Sequence, residues 1–314
     1  MATPTLTKTD LDDLNRGKRI RRIKKTLVAY GFIAPAMSFL VIFLFIPLVI
    51  AVYLSFTRYD LLTAPEWVGT QNYEALFQDP LFWRGLRNSF IYLIVTPILI
   101  FLSICLAIVA NRNLRGIYIF RTVYYIPAVT SVVAVGMIFE FVFAEPSGLI
   151  NGVLLTLGWI DKPINFLTHP DSTLISIMMV TIWRGIGFYM IVFLAALQAV
   201  PEELYEAAAI DGANRLQQHR YITVPGIRPS IIFVAIISSI SALKIFEEVW
   251  VMTDGSAGLL DSALTLMFYL YRQGFVNLEL GYAASIAVVF TLITLTFSLL
   301  NLRYLERNND GNLD

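Results

Sequence analysis

Residues 201–229 read PEELYEAAAIDGANRLQQHRYITVPGIRP, a polar segment between two long apolar stretches. Pro201 suits the first position of a helix, because its missing N–H would be unpaired there in any case. Glu202 and Glu203 follow in the first turn, where the helix dipole favours acidic side chains. Gly212 accepts the left-handed conformation that ends many helices. The segment therefore predicts a short helix that ends in a turn at Gly212.

One face of this short helix carries mostly small side chains. Its members, at helical spacing, are Leu204, Ala207, Ala208 and Asp211. The small residues would let another surface approach the helix backbone closely. Pro225 and Pro229 then interrupt the chain just before the next apolar stretch, because proline does not continue a helix. The segment predicts a compact protrusion between two transmembrane helices.

The composition shows that these apolar stretches belong in lipid. Hydrophobic residues make up 57% of the chain and charged residues 15%, whereas soluble domains are about 45–50% apolar and about 25% charged. Six stretches reach the roughly 20 residues that a transmembrane helix needs. They are Phe32–Phe56, Ser89–Ala110, Thr122–Phe143, Thr173–Val200, Ser230–Val251 and Gly281–Leu302. We therefore predict an all-α membrane protein with six transmembrane helices.

The distribution of Lys and Arg predicts the orientation. Sixteen of them fall in the two terminal tails and the second and fourth loops, against five in the remaining loops. Since cytoplasmic loops are the basic ones, both termini and the 201–229 segment should be cytoplasmic. The predicted organisation is a basic tail over 1–28, a transmembrane domain over 29–305 and a short tail over 306–314.

Several functions find no support in the sequence. The net charge is zero, so no attraction to nucleic acid is expected. Cys105 is the single cysteine, and no Cys/His cluster has the spacing of a metal site. No Gly-rich phosphate cradle is present, because the pair Gly17-Lys18 precedes an arginine in a basic tail. We expect no catalytic residue, metal or cofactor in this chain.

The 201–229 segment resembles the EAA loop that marks the permease subunits of bacterial ABC importers. The resemblance rests on Glu206-Ala207-Ala208, on Gly212 and on Ile222-Thr223-Val224-Pro225, with Val224 where the family usually has Leu. Four further stretches, at 55–59, 69–80, 195–201 and 271–285, are similar to the carbohydrate-uptake branch, of the maltose and glycerol-3-phosphate type. The similarity covers about residues 28–305 and looks more like the first permease of a pair than the second.

The resemblance implies a division of labour. A second permease subunit would complete a heterodimer, an ABC ATPase dimer would use ATP and Mg²⁺, and an extracytoplasmic solute-binding protein would deliver the solute. The short helix would dock in a cleft of the ATPase and act as a lever for alternating access. The residues implied in this coupling are Glu203, Glu206, Ala207, Ala208, Asp211, Gly212 and Pro225.

Charged and aromatic residues inside the apolar stretches indicate a solute pathway, because intramembrane charges usually face a polar cavity or pair with one another. The candidates are Trp183, Arg184, Tyr189, Lys244, Phe246, Glu247 and Glu248. Lys244 and Glu248 stand four residues apart, so they could pair along one helix. Gly185 and Gly187 could loosen their helix. Function and a structural ion pair stay open for Arg184 and Lys244, as do function and packing for the aromatic residues.

The main alternative is an ion-coupled secondary transporter. It would use Glu140, Arg184, Lys244 and Glu247 as a proton or ion relay. Such carriers often have about ten to twelve spans in inverted repeats. The six spans predicted here, together with the EAA-like loop, argue against this alternative. A membrane enzyme is a third alternative, without a metal cluster or nucleophile arrangement to support it. The solute stays open between a mono- or oligosaccharide, a glycosylated compatible solute and a glycerol phosphodiester.

Overall fold

Two compact units divide the chain, and the boundary falls between Leu54 and Ser55. The computed structural model describes residues 8–112 and 115–310. The outer ends of the two predicted tails, 1–7 and 311–314, lie outside these ranges. Neither predicted domain boundary, at 28 or at 305, coincides with the end of a helix.

The first unit is one long helical segment. Its parts are α1 (Lys8–Leu40), a π-helical turn (Val41–Phe45) and α2 (Ile46–Leu54). In lipid the backbone must satisfy its own hydrogen bonds, so the uncharged residues that follow Lys25 are helical. Pro47 follows the π-helical turn and cannot bond the carbonyl of Phe43, and a local widening of the helix accommodates this loss. The predicted first span ends two residues early, at Leu54.

Among its described residues, the second unit consists of helices, their connecting loops and a small antiparallel hairpin, which was not expected from the sequence. The hairpin consists of β1 (Thr57–Arg58) and β2 (Glu66–Trp67). The helices before the 201–229 segment are α3 (Gln71–Gln78), α4 (Pro80–Tyr92), α5 (Val95–Ala110), α6 (Ile117–Val129), α7 (Val132–Val142), α8 (Leu149–Thr156) and α9 (Pro170–Gln198). The later helices are α10 (Glu202–Ile210), α11 (Arg215–Gln218), α12 (Val224–Gly226), α13 (Arg228–Leu243), α14 (Glu247–Met252), α15 (Leu266–Tyr271) and α16 (Leu280–Asp310).

The membrane-spanning helices confirm the predicted fold class. Among the described residues, four helices are long and apolar enough to cross a bilayer without a break. They are Lys24–Leu54, Pro80–Ala110, Pro170–Gln198 and Leu280–Arg303. Two further pairs of helices pass the same test but are sharply bent, and six crossings result if each pair counts as one span. The number of crossings therefore reaches the predicted six only through the bent pairs.

The third predicted span is not a continuous helix. α6 and α7 meet at an angle of 96°. Thr130 and Ser131 between them are extended, and the Thr130 hydroxyl donates to the Ile126 carbonyl at 2.8 Å. Pro127 lies in the last turn of α6 and removes one backbone donor. α6 ends there because Pro127 removes one regular backbone hydrogen bond and the Thr130 side chain, not a backbone N–H, bonds the Ile126 carbonyl.

The fifth predicted span has different limits from those expected. The helical stretch Arg215–Gly226 precedes α13 and is bent against it by 67° at Ile227, between the two prolines. α13 then ends at Leu243, and α14 begins as a separate helix at Glu247. The Thr265 hydroxyl donates to the freed Ile245 carbonyl at 2.9 Å. A hydrogen bond from a distant residue therefore stabilises the break between α13 and α14, which the local sequence does not predict.

Close packing of α9 against α6 depends on one glycine. A Cβ atom at Gly187 would lie 1.7 Å from the carbonyl oxygen of Tyr124. α9 is a continuous helix through this position, so the prediction that Gly185 and Gly187 loosen it is wrong. Gly187 instead permits the backbones of two helices to touch, as small residues do in membrane proteins.

Two stretches far apart in sequence meet at the hairpin. The Asn72 amide donates to the carbonyls of Ser55 and Thr57, both at 2.9 Å. Gly281, at the start of α16, donates its N–H to the Tyr59 carbonyl at 3.1 Å. A Cβ at Gly281 would lie 2.0 Å from the Thr57 oxygen. The stretches at 55–80 and 271–285, which resemble the carbohydrate-uptake branch, therefore pack against each other.

Asp79 joins the same region. Its carboxylate caps α4 through the Leu81 N–H at 2.8 Å and accepts hydrogen bonds from the hydroxyls of Tyr269 and Tyr282. The pKa of Tyr269 rises to about 12, first because the phenol is buried and second because it bonds the Asp79 carboxylate. These bonds hold α4, α15 and α16 together.

We expect Asp79→Ala to destabilise the protein by about 3 kcal/mol, since it removes a helix cap and the acceptor that the Tyr269 and Tyr282 hydroxyls share. The measurement is the thermal unfolding midpoint in detergent. Glu74→Ala is the control, because Glu74 makes an exposed hydrogen bond to Thr70 at 2.8 Å and its loss should cost less than about 0.5 kcal/mol. Equal unfolding midpoints for the two variants would contradict the stabilising role given to Asp79.

Candidate functional site

A cavity of about 460 Å³ lies among the helices of the second unit. The beginning of α5, the end of α6 and the middle of α9 form one side of its wall. The end of α13, the break after it, α14 and α15 supply the remaining wall. The cavity exists because α13 stops at Leu243, which turns residues 244–248 away from a regular helical path.

A buried ion pair is the central feature of the cavity. The Arg184 Nη2 atom of α9 lies 2.6 Å from the Glu248 Oε1 atom of α14. The side chains are 26% and 7% exposed, respectively, so most of the pair is removed from solvent. The predicted Lys244–Glu248 pair is wrong, because the helix breaks between these residues and the spacing of a continuous helix does not apply. Glu248 pairs instead with Arg184.

Two further charges line the cavity without such a partner. Lys244 and Glu247 are exposed within the isolated chain. Among the described residues, neither has an oppositely charged side chain within 4.0 Å. The lining residues carry two positive and two negative side chains in total, so the formal charge of the cavity wall is zero.

Hydroxyl groups and aromatic rings complete the lining. The Thr181 hydroxyl is 2.6 Å from the hydroxyl of the buried Tyr92. Ser238 and Ser241 add two more hydroxyls on α13, and the rings belong to Phe188, Tyr189 and Phe246. Such a wall can form hydrogen bonds and can also stack against an apolar face of a solute.

Six of the seven predicted pathway residues line this cavity. The exception is Trp183, whose ring packs on Phe139 with 5.1 Å between the centroids. Phe188 lines the cavity but was not predicted. A helical period along α9 could have found it, since Thr181, Arg184 and Phe188 recur at spacings of three and four.

Glu140 lies elsewhere. It lines a separate cavity of about 580 Å³ together with Glu145 and Thr168, and the two cavities share no lining residue. The relay that an ion-coupled carrier would need is therefore divided between two cavities.

The 201–229 segment forms the protrusion that its sequence predicts. α10 covers Glu202–Ile210, and Gly212 has the expected left-handed backbone, with φ of +79°. Asn214 and Gln217 form a reciprocal capping box that starts the next helix. The buried Thr223 hydroxyl lies 2.9 Å from the Tyr205 hydroxyl, which ties α10 to the chain that follows.

The outer surface of the protrusion is open. All but one of the predicted coupling residues are exposed, and the remaining one, Ala208, is partly buried. Ile210, Leu216 and Tyr221 are 87%, 77% and 69% exposed, and they are not among the coupling residues predicted from the sequence. Large apolar side chains on a polar segment are typical of a surface that binds another protein.

No group of three or more His, Cys, Asp or Glu side chains in the described ranges could hold a metal ion. The candidate site is instead a cavity between membrane helices that is lined by charged side chains, together with an exposed protrusion between the end of α9 and the start of α13. A cavity lined by charged side chains between membrane helices, together with an exposed apolar surface that fits another protein, is typical of a membrane-embedded transporter subunit.

Comparisons with known proteins give the family. Residues 99–308 match the family of binding-protein-dependent transport system inner membrane components, and this chain belongs to that family. The chain is 38% identical over 284 residues to the arabinooligosaccharides transport system permease of Bacillus subtilis, covering 89% of this chain and 88% of the relative. It is 36% identical over 273 residues to the lactose transport system permease of Rhizobium radiobacter, covering 86% and 91%.

A solved structure shows the same fold. The crystal structure of a bacterial alginate ABC transporter, in complex with an alginate pentasaccharide-bound periplasmic protein, contains a chain that matches with a TM-score of 0.76. The identity is 25%, and the match covers 90% of this chain and 94% of that one. The protein is therefore a multi-pass permease subunit of an ABC importer in the inner membrane. ATP hydrolysis resides in a separate subunit, and the ion-coupled alternative finds no support.

Proposed function

We propose that this permease carries a neutral sugar or sugar-like solute through the cavity around Arg184 and Glu248. The observation that supports this proposal is the wall of the cavity, in which two cationic and two acidic side chains balance in number, although only Arg184 and Glu248 of these four described residues are paired. Arg184 is held by Glu248 at 2.6 Å and is not free to bind an anionic solute. Hydroxyl groups and aromatic rings, which the cavity also offers, suit a polyhydroxylated ligand.

The names of two of the relatives support a carbohydrate as the solute. The relatives from B. subtilis and R. radiobacter are named for arabinooligosaccharides and lactose. Both are carbohydrates, and both relatives match most of this chain. An oligosaccharide is thus the favoured solute, ahead of a glycosylated compatible solute or a glycerol phosphodiester.

The proposed complex contains four kinds of subunit. This permease pairs with a second permease, and an ABC ATPase dimer that uses ATP and Mg²⁺ lies on the cytoplasmic side. An external solute-binding protein delivers the sugar, and the periplasmic protein bound to the related alginate transporter supports this part of the proposal. The excess of Lys and Arg in the tails and in the second and fourth loops supports a cytoplasmic position for both termini and for the protrusion.

The protrusion is proposed to couple ATP hydrolysis to transport. α10 follows the cavity-lining α9 after only three residues, 199–201. At the base of the segment, a Cβ at Gly226 would lie 3.0 Å from a Val200 methyl group, so its two ends are closely packed. Movement of α10 by the ATPase would therefore reach α9 and α13 as a rigid-body change. Each conformation then exposes the cavity to one side of the membrane.

Glu206→Ala is expected to lower ATP-driven uptake at least tenfold without affecting insertion into the membrane. Glu206 is exposed on α10, where a charged contact to the ATPase would be lost. Glu202→Ala is the matched control, because Glu202 is also exposed, one turn earlier, and lies outside the EAA resemblance. The measurement is uptake by proteoliposomes alongside recovery of the ATPase with the permease. Equal uptake by both variants would exclude a specific role for Glu206.

Transport by the complete complex tests the proposed function. The cognate solute-binding protein is first screened against mono- and oligosaccharides, polyol glycosides and glycerol phosphodiesters by thermal shift. Uptake of the best ligand is then measured in proteoliposomes with ATP inside, and again with an ion gradient and no ATP. We expect uptake of a neutral sugar only with ATP. A charged ligand, or uptake driven by the ion gradient, would contradict the proposal.

A further inference from the structure

A second cavity, of about 290 Å³, lies at the base of the coupling protrusion. Ile108 and Leu197, near the ends of α5 and α9, form its apolar floor, and the segment from Tyr205 to Thr223 closes it. It shares no lining residue with the cavity around Arg184. Neither the transport proposal nor the EAA resemblance assigns it a role.

The polar groups of this cavity have one chemical character. Arg112, which follows α5, and Arg215, at the start of α11, supply two guanidinium groups. Asn111 and Gln218 add side-chain amides. No carboxylate is among the described residues that line it. Guanidinium groups are always charged and present a planar fork of donors that matches the oxygens of a phosphate.

Both guanidinium groups are available for a ligand. Within residues 8–112 and 115–310, neither Arg112 nor Arg215 has a hydrogen-bond or ion-pair partner for its side chain. Arg121 differs, since its guanidinium donates to the Ala110 carbonyl at the end of α5, at 2.7 Å and 3.2 Å. Two unpaired cations in one concave, carboxylate-free site form a locally positive potential that attracts anions.

We propose that this cavity binds a phosphate group, through Arg112 and Arg215, and that the bound anion holds the coupling protrusion against the end of α5. The volume is close to the lower limit of about 300 Å³ for small-molecule sites, so it suits a phosphate or a lipid headgroup rather than a larger ligand. A cytoplasmic phosphate or an inner-leaflet phospholipid could supply the group. The cytoplasmic source rests on the proposed orientation.

The position of the cavity gives the anion a regulatory effect. Arg112 follows the membrane-spanning α5 by two residues and Arg215 belongs to the coupling segment, so one ligand would bridge them. Tyr205 in α10 is connected to the same wall through the Thr223 hydroxyl, which His219 Nδ1 also approaches at 3.1 Å. A ligand that binds this arrangement more tightly than any other shifts the transport cycle towards it. The anion therefore tunes coupling without entering the solute pathway.

The test uses the complete complex in nanodiscs and measures the thermal unfolding midpoint of the permease, which does not depend on transport. One arm adds inorganic phosphate to nanodiscs of phosphatidylcholine, with chloride at equal ionic strength as the reference. The other compares phosphatidylcholine with an equal mixture of phosphatidylcholine and phosphatidylglycerol. A higher midpoint in the first arm identifies free phosphate as the source, and one in the second arm alone identifies a lipid headgroup.

Arginine variants show whether the cavity is responsible. The double variant with Arg112→Gln and Arg215→Gln should lose the shift in the unfolding midpoint, or its apparent Kd for phosphate should rise at least tenfold. The double variant with Lys at both positions should retain part of the shift. Arg220→Gln is the matched control, since Arg220 lies over the Tyr221 ring at 5.7 Å and does not line the cavity. If the double Gln variant is unstable without ligand, Arg112→Gln alone should show a reduced shift.

Three results would overturn the proposal. The first is the absence of a shift in both arms for the unaltered protein. The second is an equal shift in the unaltered protein and in the arginine variants. The third is release of the ATPase by the double Gln variant, which would show that an acidic side chain of that partner occupies the cavity.

Discussion

Glu248→Gln is expected to abolish ATP-driven uptake and to destabilise the permease by about 3–5 kcal/mol, the usual cost of breaking a buried ion pair from one side. The substitution keeps the shape of the side chain but leaves Arg184 charged and unpaired in a largely buried position. Thermal unfolding in detergent measures the stability, and proteoliposome uptake measures the function. Glu247→Gln is the matched control for stability, because Glu247 carries the same charge and lines the same cavity but is exposed, so its loss should leave the unfolding midpoint unchanged.

The double variant Arg184→Gln with Glu248→Gln separates structure from function. Removing both charges relieves the unpaired one, so much of the stability should return. Uptake should stay low if the pair takes part in the transport cycle, and it should return with stability if the pair is only structural. If Glu248→Gln alone left both the unfolding midpoint and the uptake unchanged, the Arg184–Glu248 pair would matter neither to stability nor to transport.

Gly187→Ala is expected to prevent assembly of a stable permease. The added methyl group would lie 1.7 Å from the Tyr124 carbonyl oxygen, and both sides of this contact are backbone, so no side chain can rotate away. Separating α6 from α9 would disturb packing along both helices, and we expect a loss above about 3 kcal/mol. Size-exclusion chromatography and thermal unfolding of the detergent-purified permease measure the effect.

The control for this prediction is Gly152→Ala in α8. A Cβ at Gly152 would have no atom within 4 Å, and alanine is a better helix former by about 1 kcal/mol. This variant should therefore be as stable as the unaltered protein or slightly more stable. A Gly187→Ala variant that elutes and unfolds like Gly152→Ala would show that α6 and α9 are not packed as closely as the structure has them.

The sequence alone determined the class of fold and the nature of the coupling segment. Long stretches such as Phe32–Phe56 must be helical in lipid, because no water is available to bond their backbone groups. The helix 202–210 and its end at Gly212 follow from rules that act over a few residues, namely proline at the start and glycine at the left-handed position. These features are local, so they can be read without knowledge of the rest of the chain.

Only the tertiary structure decided which charges meet. Counting along a regular helix pairs Lys244 with Glu248, but a break stabilised by Thr265 turns Glu248 towards Arg184, 64 residues earlier in the chain. The contact of the Trp183 ring with Phe139 of α7, at 5.1 Å between the centroids, is likewise made between segments far apart in the chain. Hydrogen bonds and backbone approaches between distant segments decide these outcomes, and a local pattern contains no information about them.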